Sequence, residues 1–304
     1  MIQSAIRGII PPVITPLSDR FDLDREAMER TIEHMVSAGV NGIFLLGSTG
    51  EWASLPEALR KEVVRHGTKA AGGRLPVLVN ITDTSLHEVK KRAGEAADAG
   101  ADLAVVAPPF YYAMTRRELE SFFELAVEAS PLPVLLYNAP QYTRNTIATE
   151  TILSLSNHDR IVGIKDSSGN IDSLNRWIHA LPDNGFSILI GPELLLSKCL
   201  SMGCQGGVCG GANLFPGLYC NLFTAYSRGE PELLEQLHMK IRRIHEELYS
   251  GSDSALSHVM GLKYLMSRRG LCHPRMAMPV YEPLSPGRKK VMDQLLEDFK
   301  AQGY

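Results

Sequence analysis

A chain of 304 residues that is 44% hydrophobic and 21% charged can bury one large core, which excludes a disordered or fibrous polymer. Its 31 basic and 34 acidic residues leave a formal charge of −3, which offers no electrostatic footprint for nucleic acid or an anionic membrane. No apolar run reaches the roughly 18 residues of a membrane span, and the stretch from Met1 to Val13 is broken by Pro11 and Pro12 before it forms a signal-peptide core. Cys199, Cys204, Cys209, Cys220 and Cys272 contain no C-x-x-C pair and fit reduced thiols, so a cytoplasmic protein is expected.

In chain order, apolar strand-like runs alternate with helical patterns. The expected strands are Gly8–Ile14, Gly42–Leu46, Pro76–Ile81, Leu103–Ala107, Val134–Asn138, Ile161–Lys165, Ser187–Ile190 and Gly207–Cys209. Between them lie helical segments such as Asp24–Ser37, Pro56–Ala71, Ser85–Ala99, Arg116–Ala129 and Glu193–Ser201, with Asp24, Ser54, Ser85 and Thr115 as capping candidates. Gly39, Gly100 and Gly203 each close a helix and open the next strand. Strands that are apolar throughout and alternate with helices indicate a parallel sheet covered by helices, and eight such units predict an α/β fold, the (β/α)8 TIM barrel. The competing open doubly wound sheet lacks its expected G-x-G-x-x-G turn after the first strand. Beyond Phe215 the pattern is helical only, over Pro231–Leu248, Ser254–Arg269 and Pro286–Phe299. The expected organisation is a catalytic barrel over residues 1–222 and an all-helical C-terminal extension over residues 223–304 packed on it.

Barrel enzymes place catalysis at the C-terminal strand ends, so the residues there carry the functional reading. The second strand ends in Gly47-Ser48-Thr49-Gly50-Glu51, a small nest of hydroxyls and backbone amides suited to a carboxylate, or simply a polar turn. The fourth delivers Phe110-Tyr111-Tyr112, which could also line an interface. The fifth ends in Tyr137-Asn138-Ala139-Pro140. The sixth, Ile161 to Lys165, ends in a lysine. Such a lysine either snorkels to water or, partly desolvated, loses its proton more readily and attacks a carbonyl to form a Schiff base. Tyr137 and Lys165 fall one βα unit apart, which brings a proton-shuttling phenol beside the amine. Cys199, Cys204 and Cys209 do not match compact zinc spacing, and the nine histidines form no ligand motif, so no metal is expected.

Gly47-Ser48-Thr49-Gly50-Glu51, Tyr137-Asn138-Ala139-Pro140 and Gly163-Ile164-Lys165-Asp166 resemble the signatures of the dihydrodipicolinate synthase / N-acetylneuraminate lyase family of pyruvate-dependent class I aldolases. The likeness extends to Thr15-Pro16 and to Arg275…Pro279…Pro283-Leu284. The resemblance implies a homotetramer of barrels, needing no cofactor, in which Lys165 forms an imine with pyruvate or another 2-oxo acid and Tyr137 shuttles protons. It implies that Ser48 relays protons to a neighbouring subunit's tyrosine at position 111, that Thr49 and the amides of the Gly47 loop hold the substrate carboxylate, and that the Val208 carbonyl lines the site.

Two departures bear on the substrate. Where dihydrodipicolinate synthases usually carry an arginine, this chain has Tyr142, with Arg144 two residues on. Where sialic-acid lyases use an acidic pair and a serine, it has Glu193-Leu194 and Gly210. A shorter or less hydroxylated 2-oxo acid is therefore expected, with Ser167 and Glu193 as candidates for its distal end or as helix-start residues. The alternatives are dihydrodipicolinate synthesis, a phosphosugar aldolase using the glycines around the eighth strand, and a barrel that binds 2-oxo acids without turnover.

Overall fold

A computed structural model describes residues 6–181, 185–249, 256–278 and 281–304. The expected helix start at Ser254, Pro279 of the terminal pattern and the beginning of the Met1–Val13 stretch lie outside these residues. The first half of the chain forms β1 (Gly8–Ile9), α1 (Arg25–Ser37), β2 (Ile43–Leu45), α2 (Glu57–Ala71), β3 (Val77–Asn80), α3 (Leu86–Asp98), β4 (Leu103–Val106), α4 (Arg116–Ala129) and β5 (Val134–Asn138). The second half forms α5 (Pro140–Thr143), α6 (Thr149–Leu155), β6 (Ile161–Asp166), α7 (Ile171–Ala180), β7 (Ser187–Ile190), α8 (Leu196–Met202), β8 (Gly206–Gly207), α9 (Pro216–Arg228), α10 (Pro231–Ile244), α11 (Ser257–Arg268) and α12 (Pro286–Ala301). The eight strands belong to one sheet and the class is (β/α)8 with helices alone at the C-terminal end. Contacts divide the chain into two units, residues 1–8 with 76–208 and residues 9–75 with 209–304.

In the first unit β3 to β8 pair in parallel with their sequence neighbours, and the Gly8 N–H donates to the Gln205 carbonyl at 2.9 Å. Helices cover these strands, so the strands are apolar on both faces: Leu103, Ala104, Val105 and Val106 are fully buried. Helix α4 opens on a capping box in which Thr115 and Glu118 satisfy each other's backbone N–H. It then buries Leu119, Phe122, Phe123, Ala126 and Val127, each large side chain contributing about 1.5–3 kcal/mol. β6 carries one residue more than β5 opposite it: Val134 pairs with Ile161 and Leu135 with Gly163, leaving Val162 as a bulge.

In the second unit Phe44 of β2 hydrogen-bonds on both sides of Pro12, receiving the Val13 N–H and donating to the Pro11 carbonyl, each at 2.9 Å. Asp24 caps α1 by accepting the Ala27 N–H. Helix α1 buries Met28, Ile32 and Met35, and among the C-terminal helices Phe215 stacks on Phe299 of α12 with ring centroids 4.8 Å apart.

Several boundaries differ from expectation for physical reasons. The first strand stops at Ile9 because Pro11 and Pro12 have no N–H to give a ladder. The eighth lies at Gly206–Gly207, where a Cβ on Gly206 would sit 2.1 Å from the Gly8 carbonyl oxygen, so only glycine admits this approach. Ser85 does not cap α3 with its side chain; its own N–H donates to Asp83 Oδ1 at 2.8 Å. The Pro231 helix passes into a π-helical turn at His245–Tyr249. Helices α5, α6, α7 and α9 had no counterpart among the expected segments.

Candidate active site

The ends of β5 and β6 carry two side-chain pairs in register. Tyr137 lies opposite Lys165 and Asn138 opposite Asp166. Successive residues of a strand point to opposite faces, so the phenol and amine share one side and the amide and carboxylate the other. Both members of the first pair are buried, Tyr137 to 6% exposure and Lys165 to 5%, and the Lys165 Nζ stands 4.0 Å from the centre of the Tyr137 ring. A desolvated amine against a phenol is an arrangement that can capture a carbonyl carbon and pass protons to and from the adduct.

The second pair works behind the first. Asn138 Nδ2 donates to Asp166 Oδ1 at 2.7 Å, Asn138 Oδ1 accepts the Ile147 N–H at 3.1 Å, and the Asn138 carbonyl accepts the Ser167 N–H at 2.8 Å. Ser168 Oγ lies 2.9 Å from both Asp166 oxygens and the Gly169 N–H at 3.2 Å from Oδ2. Burial pushes the Asp166 carboxyl above the ordinary carboxylate range, against the pull of these hydrogen bonds. This amide–carboxylate clasp ties the two strand ends together where the phenol and amine project. Sequence reading missed it, although both residues immediately follow the two it selected.

The other expected residues of this unit are placed as follows. Ser167 is half-buried, its Oγ so close to Gly191 that a Cβ there would meet it at 2.3 Å, and its carbonyl accepts Gln141 Nε2 at 3.3 Å. The start of α7 is capped by Asn170, whose Oδ1 accepts the Ser173 N–H, so Ser167 is not the helix-start residue. Glu193 is buried in a single 3-10 turn, Glu193–Leu195, ahead of α8. Val208 is buried just past β8, its N–H bonded to the Ile190 carbonyl at 2.8 Å. Tyr111 is 72% exposed and stands edge-to-face on the equally exposed Tyr112, ring centroids 4.8 Å apart. Tyr142, 48% exposed, ends up near Tyr137: partial burial, and then the neighbouring Tyr137, push its phenol above the usual tyrosine range. Arg144 is exposed, in the left-handed region at φ 59° that closes the short α5.

In the second unit the Gly47–Glu51 loop is a tight turn. The Gly50 N–H donates to the Gly47 carbonyl and the Glu51 N–H to the Ser48 carbonyl, both at 3.0 Å, and Thr15 Oγ1 donates to the Gly50 carbonyl at 2.7 Å. Ser48 is half-buried and Thr49 buried. A Cβ on Gly50 would lie 2.9 Å from the Val13 carbonyl oxygen, which explains the second glycine of the motif. Glu51 is buried at φ 56°, its Oε1 accepting the Ala277 N–H at 2.7 Å and its Oε2 paired with the ammonium of Lys263 from α11. Lys263 is fully buried; burial pushes its ammonium down and the Glu51 carboxylate opposes that shift. A lysine flanked by Val259, Met260 and Met266 at helical spacing was the available signal for this second buried cation. Among the described residues no three His, Cys, Asp or Glu side chains converge as a metal site requires.

A model of the dihydrodipicolinate synthetase family matches residues 5–301. The 4-hydroxy-tetrahydrodipicolinate synthase of Methanospirillum hungatei is 31% identical over 248 residues, 81% of this chain and 85% of that protein. The Escherichia coli protein YagE, provisionally named a 2-dehydro-3-deoxy-D-gluconate aldolase, is 30% identical over 304 residues, 99% of each. Among solved structures, a dihydrodipicolinate synthase from Bacteroides thetaiotaomicron superposes with a TM-score of 0.92 at 38% identity, covering 98% of this chain and 100% of that one. The structure of YagE in complex with pyruvate gives 0.90 at 28%, covering 97% and 98%.

Proposed function

The chain belongs to the dihydrodipicolinate synthetase family, and from that membership and the strand-end geometry we propose how it works as a pyruvate-dependent class I aldolase, a carbon–carbon lyase. Lys165 adds to the keto carbon of pyruvate or a related 2-oxo acid, loses water and becomes an iminium. The cationic nitrogen then accepts the electron pair released when the C3–C4 bond breaks, or holds it as an enamine that attacks an aldehyde. Tyr137 carries the protons of carbinolamine formation and of the aldol step. The reaction draws its electron sink from substrate and lysine together, so it calls for no metal or organic cofactor. The observation that carries this reading is the register of Tyr137 with Lys165, amine 4.0 Å from the ring.

Thr49 and the loop amides from Gly47 onward hold the substrate carboxylate, Ser48 relays protons to Tyr111 of a neighbouring subunit, and the Val208 carbonyl faces the adduct. The exposure of Tyr111, 72%, suits a side chain completed by assembly, here a homotetramer. Ser167 and Glu193 face the distal end of the substrate. No described helix is long and apolar enough to cross a membrane, and the five free cysteines suit the cytoplasm.

Borohydride reduction in the presence of pyruvate tests the chemistry. A three-carbon adduct on the peptide containing Lys165 is expected, and an unmodified lysine would sink the assignment. Dihydrodipicolinate synthesis is the second reading, favoured by the relative from Methanospirillum hungatei. It predicts turnover of pyruvate with aspartate semialdehyde and loss of that turnover in Arg144→Ala. Tyr142 in the usual arginine position favours an aldehyde partner without a second carboxylate, and pyruvate release from a panel of 2-oxo acids distinguishes the two. An adduct with neither release from any member nor turnover with aspartate semialdehyde would leave a binding protein.

A further inference from the structure

The loop that carries Ser48 and Thr49 is fixed from far along the chain. Its last residue, Glu51, lies in the left-handed region, where a non-glycine residue stays only if its surroundings hold it. Both of its carboxylate oxygens are committed, Oε1 to the Ala277 N–H at 2.7 Å and Oε2 to Lys263. The Lys263 amine donates in addition to the Arg275 carbonyl at 2.6 Å, so carboxylate and ammonium bind the loop to α11 and to the segment after it. Side-chain exposure is 0% for Lys263 and 1% for Glu51. Replacing such a pair by apolar side chains is often neutral or stabilising, so stability is a poor account of why two charges sit there. What the pair does supply is one geometry for the backbone it holds, two residues from Thr49.

We propose that Glu51 and Lys263 are positioning residues for the carboxylate-binding loop, fixing the Thr49 hydroxyl and the loop amides so that they meet the carboxylate of a 2-oxo acid in one orientation. This rests on the imine reading of the site. Loosening the loop weakens capture of the carboxylate and, because Ser48 lies on it, disturbs the proton relay as well, while Tyr137 and Lys165 stand on other strands and keep their register. The loss of carboxylate capture falls on the concentration of pyruvate needed, and any loss through Ser48 falls on the saturated rate of pyruvate and its methyl ester alike.

The experiment measures borohydride trapping of the full-length protein against pyruvate concentration, and against methyl pyruvate, which has the keto group without the charge. In Glu51→Gln and in the charge-free double variant Glu51→Gln/Lys263→Met, half-saturating pyruvate is expected to rise about tenfold or more, and any fall in the saturated trapping rate to be the same for pyruvate and methyl pyruvate. The preference for pyruvate over its methyl ester should fall by the same factor, which a general loss of folded protein would not produce. Glu51→Asp, which keeps the charge but withdraws it by one methylene, is read the same way and serves if the other variants fail to fold. Folded variants that keep the parental preference, beside a parent that traps pyruvate, overturn this inference alone. A parent that traps nothing overturns the imine reading and this inference with it.

Discussion

Lys165 and Lys263 are both buried, at 5% and 0% exposure, yet they stand in opposite settings. Lys165 is the penultimate residue of β6 with its amine over a phenol ring at 4.0 Å, at the strand ends where a (β/α)8 fold gathers its chemistry. Lys263 lies mid-helix with its ammonium committed to the Glu51 carboxylate and the Arg275 carbonyl. On the proposed reading, burial alone does not set a lysine's role; what it is held against does. An amine beside a phenol can exchange its proton and attack. An ammonium locked between a carboxylate and a carbonyl has two of its three hydrogens committed and serves as a fastener.

The sharpest way to break this contrast is to exchange the fates of the two lysines. Lys165→Ala should abolish both adduct and turnover, whereas Lys263→Met should still give the Lys165 adduct at saturating pyruvate; mass spectrometry after borohydride reduction reads both, and an adduct on Lys263 would invert the assignment. Tyr137→Phe should slow turnover by about 10²–10⁴ while still forming some adduct, measured by steady-state and trapping rates on one preparation. Lys263→Met leaves a buried carboxylate unpaired and should lose about 3–5 kcal/mol of stability by urea unfolding, most of it recovered when Glu51→Gln is added. The smallest effect concerns Asp166. Its folded carboxyl titrates above the unfolded value, so the folded state binds more protons between the two, and stability falls as pH rises through that window. Asp166→Asn should flatten that slope in melting temperatures taken from about pH 4 upward, and an unchanged slope would remove Asp166 as its source.

The difference between the two lysines also marks what was legible in the sequence. Val134–Asn138 and Ser187–Ile190 emerge with the expected bounds because turn residues close apolar runs on both sides. The meeting of Tyr137 and Lys165 could be anticipated because the ends of neighbouring parallel strands lie side by side, a rule that needs no tertiary detail. Glu51 and Lys263 could not be paired, since their meeting depends on where a distant helix comes to rest. The Val162 bulge was equally hidden, as nothing in a run of β-branched residues says which of them goes unpaired. Ser167 and Glu193 looked like helix-start residues, yet Asn170 takes the cap of α7 and Glu193 opens only a 3-10 turn, because the backbone after each strand bends once more before its helix begins.

The hydrogen bond from Ala277 to Glu51 spans 226 residues of chain, and that span has a consequence for how the protein is made. At a ribosomal pace of about 5–20 residues per second, the Gly47–Glu51 turn emerges on the order of ten to fifty seconds before the segment that fastens it. A nascent or prematurely terminated product ending ahead of Lys263 would carry Tyr137 and Lys165 while its Glu51 still faced water.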